Sequence, residues 1–235
     1  VDELTRADVT AVALFLATLP VPGRVIPGIP EVERAVHAGE QLFADIKCTR
    51  CHVATLPLNR RAWIYSEPNP YNPPGNLRRG GARVLEVDLA DGASRGCGQA
   101  PSPSDPSLVL VPAYSDFKLH DITDPADETA KEPLDANQPL GSSKSFAGNR
   151  KFLTRRLWGV ASQPTHFHHG LFTTLRQAVL AHAGEALPER QAFERATRAE
   201  QDALIEFLKS LQMLPPGTKA VVVDERLQPK AWPPG

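Results

Sequence analysis

Residues 48 to 52 read Cys-Thr-Arg-Cys-His. Two thiols three positions apart fall within one helical turn and can add across the two vinyl groups of a haem. The adjacent His52 then lies under the porphyrin plane and supplies a nitrogen to the iron. This is the attachment pattern of a c-type haem. Two other chemistries use paired cysteines. A thioredoxin-like pair wants a strand before it and a helix after it, whereas here a helical pattern precedes Cys48 and Pro57 closes the segment. A zinc site wants two more Cys or His ligands at short spacing, and the next histidine along the chain is His120. The expectation is one covalent haem c, with thioethers to Cys48 and Cys51 and His52 as an axial ligand.

The elements that must hold such a group can be read next. Glu31 to Ile46 places Val32, Ala35, Val36, Leu42, Phe43 and Ile46 at helical spacing. Thr174 to Glu185 is a second helical stretch, and His182 lies in it. An axial ligand needs a rigid mount, which His182 has and the turn histidines His166, His168 and His169 lack. The residues alone leave His182 equally open to the reading of an exposed histidine at a helix end, interacting with the helix dipole. Met213, the single methionine, follows the last helix just before Pro215-Pro216 and is a poor axial candidate. His120-Asp121 suits an imidazole oriented by a carboxylate or a local turn, and the turn is the favoured reading.

Composition narrows the class. The 235 residues carry a formal net charge of -1, so nothing marks a nucleic-acid or acidic-membrane partner. No apolar run approaches the ~20 residues that cross a bilayer. The longest, Val9 to Leu19, is helical in pattern and ends at Pro20. A first residue that is Val rather than Met fits a processed protein. The 23 prolines point to long loops. Cys97, between Gly96 and Gly98, is the odd third cysteine; a lone thiol is the simplest reading and argues against a disulfide framework.

Between the haem motif and Phe152 runs a stretch rich in Pro, Gly and Ser. Ala82 to Leu89 alternates as a strand does, and Leu108 to Val111 is its expected partner in a small ribbon. Pro68 to Pro74 and Asp124 to Pro139 read as loops.

Several segments in fixed order carry a family resemblance: Tyr114-Ser115-Asp116-Phe117-Lys118-Leu119-His120-Asp121, then Leu153-Thr-Arg-Arg-Leu-Trp-Gly159, Thr165-His-Phe-His-His-Gly170, Thr174-Leu-Arg-Gln-Ala-Val179, Ala181-His-Ala-Gly-Glu185 and Phe207-Leu-Lys-Ser-Leu211. Across about residues 1 to 226 the chain resembles the di-haem oxidoreductases related to bacterial di-haem cytochrome c peroxidases and to the MauG enzymes. In that superfamily a Phe-His-x-Gly turn precedes the helix that delivers the distal ligand, fourteen positions after the turn histidine. Counting from His168 gives His182. The peroxidases commonly have Met there and MauG has Tyr. The resemblance thus implies a bis-histidine iron held by His52 and His182, with His168 near the haem pocket in a structural hydrogen-bonding role. Arg155 and Arg156 are candidates for the haem propionates, since guanidinium matches carboxylate geometry.

The two ends of the chain repeat each other. Thr5-Arg6-Ala7-Asp8 is echoed by Thr197-Arg198-Ala199-Glu200, Ala11 by Ala203, Phe15-Leu16 by Phe207-Leu208 and Leu19 by Leu211, all at an offset of 192. Such self-similarity signals a duplicated unit. Because cytochrome c domains close with such a helix, residues 1–23 are expected to carry the closing helix of a preceding haem domain. Residues 24–217 would form a mainly α, cytochrome c-like haem domain with a loop-rich insertion at about 57–150 containing a small β ribbon. Residues 218–235 would be a C-terminal tail. The function implied is electron transfer, to or from a second haem domain or a redox partner protein. The alternative is part of a di-haem peroxidase-like enzyme reducing hydrogen peroxide. Haem attachment of this kind implies a periplasmic or extracellular location.

Overall fold

The computed structural model describes residues 6–17, 22–58, 64–67, 85–88, 109–123, 151–167, 170 and 172–234. Five α-helices appear among them: α1 (Arg6–Ala17), α2 (Pro30–Asp45), α3 (Leu175–Leu180), α4 (Leu187–Arg195) and α5 (Arg198–Ser210). Nine short strands accompany them: β1 (Pro22–Val25), β2 (Leu56–Leu58), β3 (Ile64–Glu67), β4 (Leu85–Asp88), β5 (Val109–Val111), β6 (Leu119–Asp121), β7 (Lys151–Leu153), β8 (Leu211–Met213) and β9 (Val222–Val223).

The crossing of α2 with α5 organises the core. Helix α2 starts at Pro30, whose fixed φ suits a first helical position and whose missing N–H costs nothing there. Glu31 and Glu33 place negative charge in its first turn, where the helix dipole favours it. Val36, Gly39 and Phe43 form its buried face, at the spacing of one helix stripe. Helix α5 begins with a capping box: Thr197 accepts from the Glu200 N–H, and the Glu200 carboxylate accepts from the Thr197 N–H. Its buried face is Ala203, Leu204, Phe207 and Leu208. The helices approach so closely at Gly39 that a Cβ there would stand 2.0 Å from the Ala203 carbonyl oxygen. Around this crossing Phe43, Tyr114, Leu175, Phe193, Leu204, Phe207, Leu208 and Leu211 make one apolar cluster.

The strands lie in four small sheets. The largest has β1 between β8 and β9, antiparallel to the first and parallel to the second. The expectation of a mainly α domain with one ribbon is therefore corrected: the described residues are mixed α and β. The ribbon pairing is corrected too. Strand β4 pairs with β3, and β5 pairs with β2 just after the Cys-x-x-Cys-His segment. Alternation marked Ala82 to Leu89 as a strand but not its partner, because it shows which residues share a face and not which strand lies alongside.

Residues 218–234 fold back onto the body. Strand β9 joins the sheet at β1, the Glu225 carboxylate accepts from the Gly28 N–H at 2.8 Å, and Lys230 pairs with Glu33. The Trp232 indole N–H donates to Glu40 at 2.8 Å. Beneath Trp232 lies Arg24, only 7% exposed. Its guanidinium carbon is 5.0 Å from the centre of the Trp232 ring and 5.2 Å from that of Phe207, and Nη1 donates to Glu40 at 2.8 Å.

Candidate functional site

The Cys-x-x-Cys-His segment follows α2 directly. Lys47 adopts a left-handed backbone (φ 67°), and Cys48–Arg50 form a single 3-10 turn. The turn brings the His52 N–H to the Cys48 carbonyl at 3.0 Å, so both sulphurs and the imidazole issue from one compact knot. Cys48 and Cys51 are free thiols, each half-buried. Burial, and then the Glu189 carboxylate, pushes the Cys48 thiol up to about 12. Burial followed by Asp116 raises Cys51 as well. Arg50, inside the motif, donates to Glu189 of α4 at 2.7 Å and ties the knot to that helix.

His52 Nδ1 lies 3.1 Å from the Tyr114 main-chain oxygen. A carbonyl only accepts, so Nδ1 carries the proton and Nε2 keeps its lone pair. His182 has the same arrangement, with Nδ1 donating to the Ala178 oxygen at 2.8 Å. Such a bond on one ring nitrogen fixes the tautomer of a metal-ligating histidine. The two rings lie with centres 6.4 Å apart and planes inclined at 63°. A metal–imidazole bond is about 2 Å and the ring centre lies about 1 Å beyond the nitrogen, so two rings opposed on one ion stand about 6 Å apart. The separation of the two ring centres is close to that value. Burial, then the neighbouring His182, pushes His52 down to about 4 against the pull of the Tyr114 carbonyl. Burial likewise lowers His182. Both rings are thereby held neutral, the form a metal ligand requires.

His182 is mounted differently from the continuous helix expected over Thr174 to Glu185. Helix α3 ends at Leu180, Ala181 is its C-cap, and a 3-10 turn runs over Gly184–Ala186. Rigidity comes instead from the capping box of Thr174 and Gln177, the bond to Ala178, and the Ala183 N–H donating to the Ile122 oxygen at 3.1 Å. Phe167 leans on the ring at 5.3 Å. Lys47, Tyr114 and Phe167 all carry positive φ (67°, 46° and 64°), which is costly for residues with side chains and is found where surrounding structure fixes a functional constellation.

The remaining expected residues fall as follows. His168 lies outside the described residues, as do His169 and Cys97. His166 is half-buried, with its N–H on the Phe172 oxygen at 2.8 Å. Arg155 and Arg156 are exposed; Arg155 donates to Gln163 at 2.8 Å and Arg156 stacks over Trp158 at 4.9 Å. Met213 sits in β8, 39% exposed. The carboxylates that hold His120 are Asp116 and Glu185, each at 2.8 Å. Two contributors were not singled out from the sequence. Tyr114 positions His52 through its carbonyl, and Glu189 pairs with Arg50. Tyr114 opens a quoted family segment, but a main-chain contact leaves no mark on residue type. Among the described residues no group of three or more His, Cys, Asp or Glu is placed to hold a metal. A haem iron asks for only two axial side chains, because the porphyrin supplies its other ligands.

Residues 109–211 match the family described as "di-haem oxidoreductase, putative peroxidase". The matched segment contains His182, Tyr114 and all of α5. Cys48, Cys51 and His52 precede it. No match was found among curated proteins or among solved structures. Among the described residues no helix is long and apolar enough to cross a membrane.

Proposed function

We propose that the chain is a c-type cytochrome domain that transfers electrons through one covalent haem, exchanging them with a second haem domain, outside the cytoplasm. The neighbouring rings of His52 and His182, with centres 6.4 Å apart and both Nδ1 atoms occupied, carry this reading. Cys48 and Cys51 would form the thioethers, and His52 and His182 would hold the iron. When bound, the haem supplies one-electron redox chemistry. The protein's part is to present two imidazoles in fixed tautomers that would hold the iron, and to pack Phe43 and the Tyr114 carbonyl against His52. Arg155 and Arg156 are proposed for the propionates, and His168 for the hydrogen bonding of the pocket.

Mass spectrometry under denaturing conditions should give the chain plus one haem, and acid-acetone extraction should leave it attached. The spectrum should be low-spin in both oxidation states, and His182→Ala should turn it high-spin. Extractable haem sinks the covalent reading; an unchanged low-spin spectrum in the variant moves the sixth ligand elsewhere.

The family's description favours a second reading, in which the chain is the electron-relay part of a di-haem peroxidase-like enzyme that reduces hydrogen peroxide. Peroxide added to the reduced holoprotein separates the two. Rapid turnover-linked oxidation supports the peroxidase, while a haem that peroxide oxidises only slowly supports plain electron transfer.

A further inference from the structure

One stretch of chain, residues 114–122, is bonded to both sides of the candidate site. At its start the Tyr114 carbonyl accepts from His52 Nδ1. The N–H groups of Tyr114 and Ser115 donate to the Ala54 and Val53 carbonyls, 3.3 and 3.1 Å away. At its end the Ile122 carbonyl accepts from the N–H of Ala183, the residue after His182, at 3.1 Å. The approach there is close. A Cβ on Gly184 would stand 2.4 Å from the Asp121 carbonyl oxygen and 3.1 Å from that of Thr123. The separation of the two imidazoles therefore follows the shape of this stretch, which bends. Tyr114 and Phe117 both have positive φ, and β6 starts only at Leu119. Ser115 is fully buried and pins the near end. Its hydroxyl donates to the Thr154 carbonyl at 2.7 Å and accepts from the Phe117 N–H at 3.0 Å. His120 spans the bend. Its Nε2 lies 2.8 Å from Asp116 and its Nδ1 2.8 Å from Glu185. Ionised carboxylates only accept, so both ring nitrogens donate. Glu185 sits on the 3-10 turn after His182, and its other oxygen accepts from the Asp121 N–H at 3.1 Å.

We infer that His120 is a positioning residue for the paired imidazoles. It bridges Asp116, two residues past the carbonyl that orients His52, to Glu185, three residues past His182, and so sets the gap and mutual angle of the two rings. This rests on the reading that His52 and His182 hold one iron, and it names what fixes their spacing. Partners of this outer kind orient metal-ligating histidines and tune the metal. The contribution is geometric rather than coulombic. The Glu185 side chain is 49% exposed, and ion pairs so open to water contribute little by themselves. A planar ring bonded at both nitrogens has one orientation, however, and it holds its two carboxylates a fixed distance apart. Without His120, the near end keeps Ser115 and the far end keeps the Ile122 and Asp121 main chain, but the two are joined through the bend at Phe117.

The test compares the wild-type holoprotein with three variants. His120→Ala removes the bridge. His120→Gln offers donors on one nitrogen only and cannot span both carboxylates. Thr197→Ala weakens the α5 cap, away from His120, and serves as the control for general loosening. The largest g value in the electron paramagnetic resonance spectrum of the ferric protein follows the mutual angle of two axial ring planes. Hydrogen exchange at the Ala183 amide reports on the same bracket without reference to iron. In both His120 variants the g value should shift and Ala183 should exchange at least about tenfold faster, while the amides of α5 keep their wild-type rates. Thr197→Ala should move neither readout. An unchanged g value or an unchanged Ala183 rate in His120→Gln overturns the inference. So does a shift that Thr197→Ala reproduces, and so does a reduction potential that moves while the g value stays, because His120 would then act through charge alone. A wild-type protein without a low-spin ferric signal refutes the haem reading and the inference with it; with that signal present, failure belongs to His120.

Discussion

Gly39 of α2 lies against the main chain of Ala203 in α5, where an added Cβ would meet the carbonyl oxygen at 2.0 Å and the amide nitrogen of Leu204 at 2.8 Å. Backbone cannot swing aside as a side chain can. Gly39→Ala gains about 1 kcal/mol of helix propensity but forces the crossing apart, and overpacking of this kind costs about 1–3 kcal/mol or more. Because the clash is with backbone at both atoms, the loss should win. The variant is expected to unfold at lower urea concentration than the wild type with an unchanged slope; a higher midpoint would mean the helices are not pressed together at this residue.

Arg24 and Glu40 form an asymmetric pair. The Arg24 side chain is 9% exposed and that of Glu40 is 36% exposed, and Glu40 also accepts from Trp232. Removing the carboxylate leaves a buried guanidinium uncompensated, which costs about 3–5 kcal/mol. Removing the guanidinium leaves Glu40 partly in water and still bonded to the indole. Glu40→Ala should therefore destabilise more than Arg24→Leu. Equal losses in denaturant titrations would show that stacking between Phe207 and Trp232, rather than charge, is what Arg24 contributes.

The cluster of His120, Asp116 and Glu185 makes stability depend on pH. Hydrogen bonds to Glu185 and then Asp116 raise His120 above its ordinary 6.5. Its contribution is complete below 6.5 and is lost as pH rises through the raised value. Burial pushes Asp116 up, but bonds from the Lys118 N–H, His120 and Thr154 outweigh it and hold the carboxyl at about 2. Glu185 is lowered from 4.5, first by His120 and then by the Asp121 N–H. These two contribute above their ordinary values of 3.8 and 4.5 and fade as pH falls through the lowered ones. The stability difference between wild type and His120→Ala should thus peak between pH 4.5 and 6.5 and shrink on both sides. A difference that is flat with pH would remove the charged cluster from the account.

Thr197 caps α5 from both directions, through its hydroxyl and its N–H. Thr197→Ala should cost about 1 kcal/mol, read as a lower thermal midpoint, while the haem spectrum stays as it is. A change in the spectrum would mean that α5 sets the His52 environment more directly than through packing.

The local geometry of the Cys-x-x-Cys-His segment was legible in the chain. Cys48, Cys51 and His52 are adjacent, so their mutual geometry is local and one turn of backbone suffices to build it. The apolar spacing of α2 and α5, and the proline and capping residues at their starts, are likewise local. His182 could be numbered through the family's segment order, but not placed. Its distance from His52 depends on where α3 ends and on main-chain bonds to Ala178 and Ile122. Tertiary structure alone set the partners of β4 and β5, because alternation shows which residues share a face and not which strand lies beside them. It alone set Trp232 over Arg24, since that packing joins Trp232 to Glu40 and Arg24 across 192 and 208 positions of chain. It also assigned His120 to Asp116 and Glu185, because a side chain's hydrogen-bond partners are decided by neighbours in space. Residue type and spacing named the candidate residues; long-range packing decided which of their atoms lie near one another.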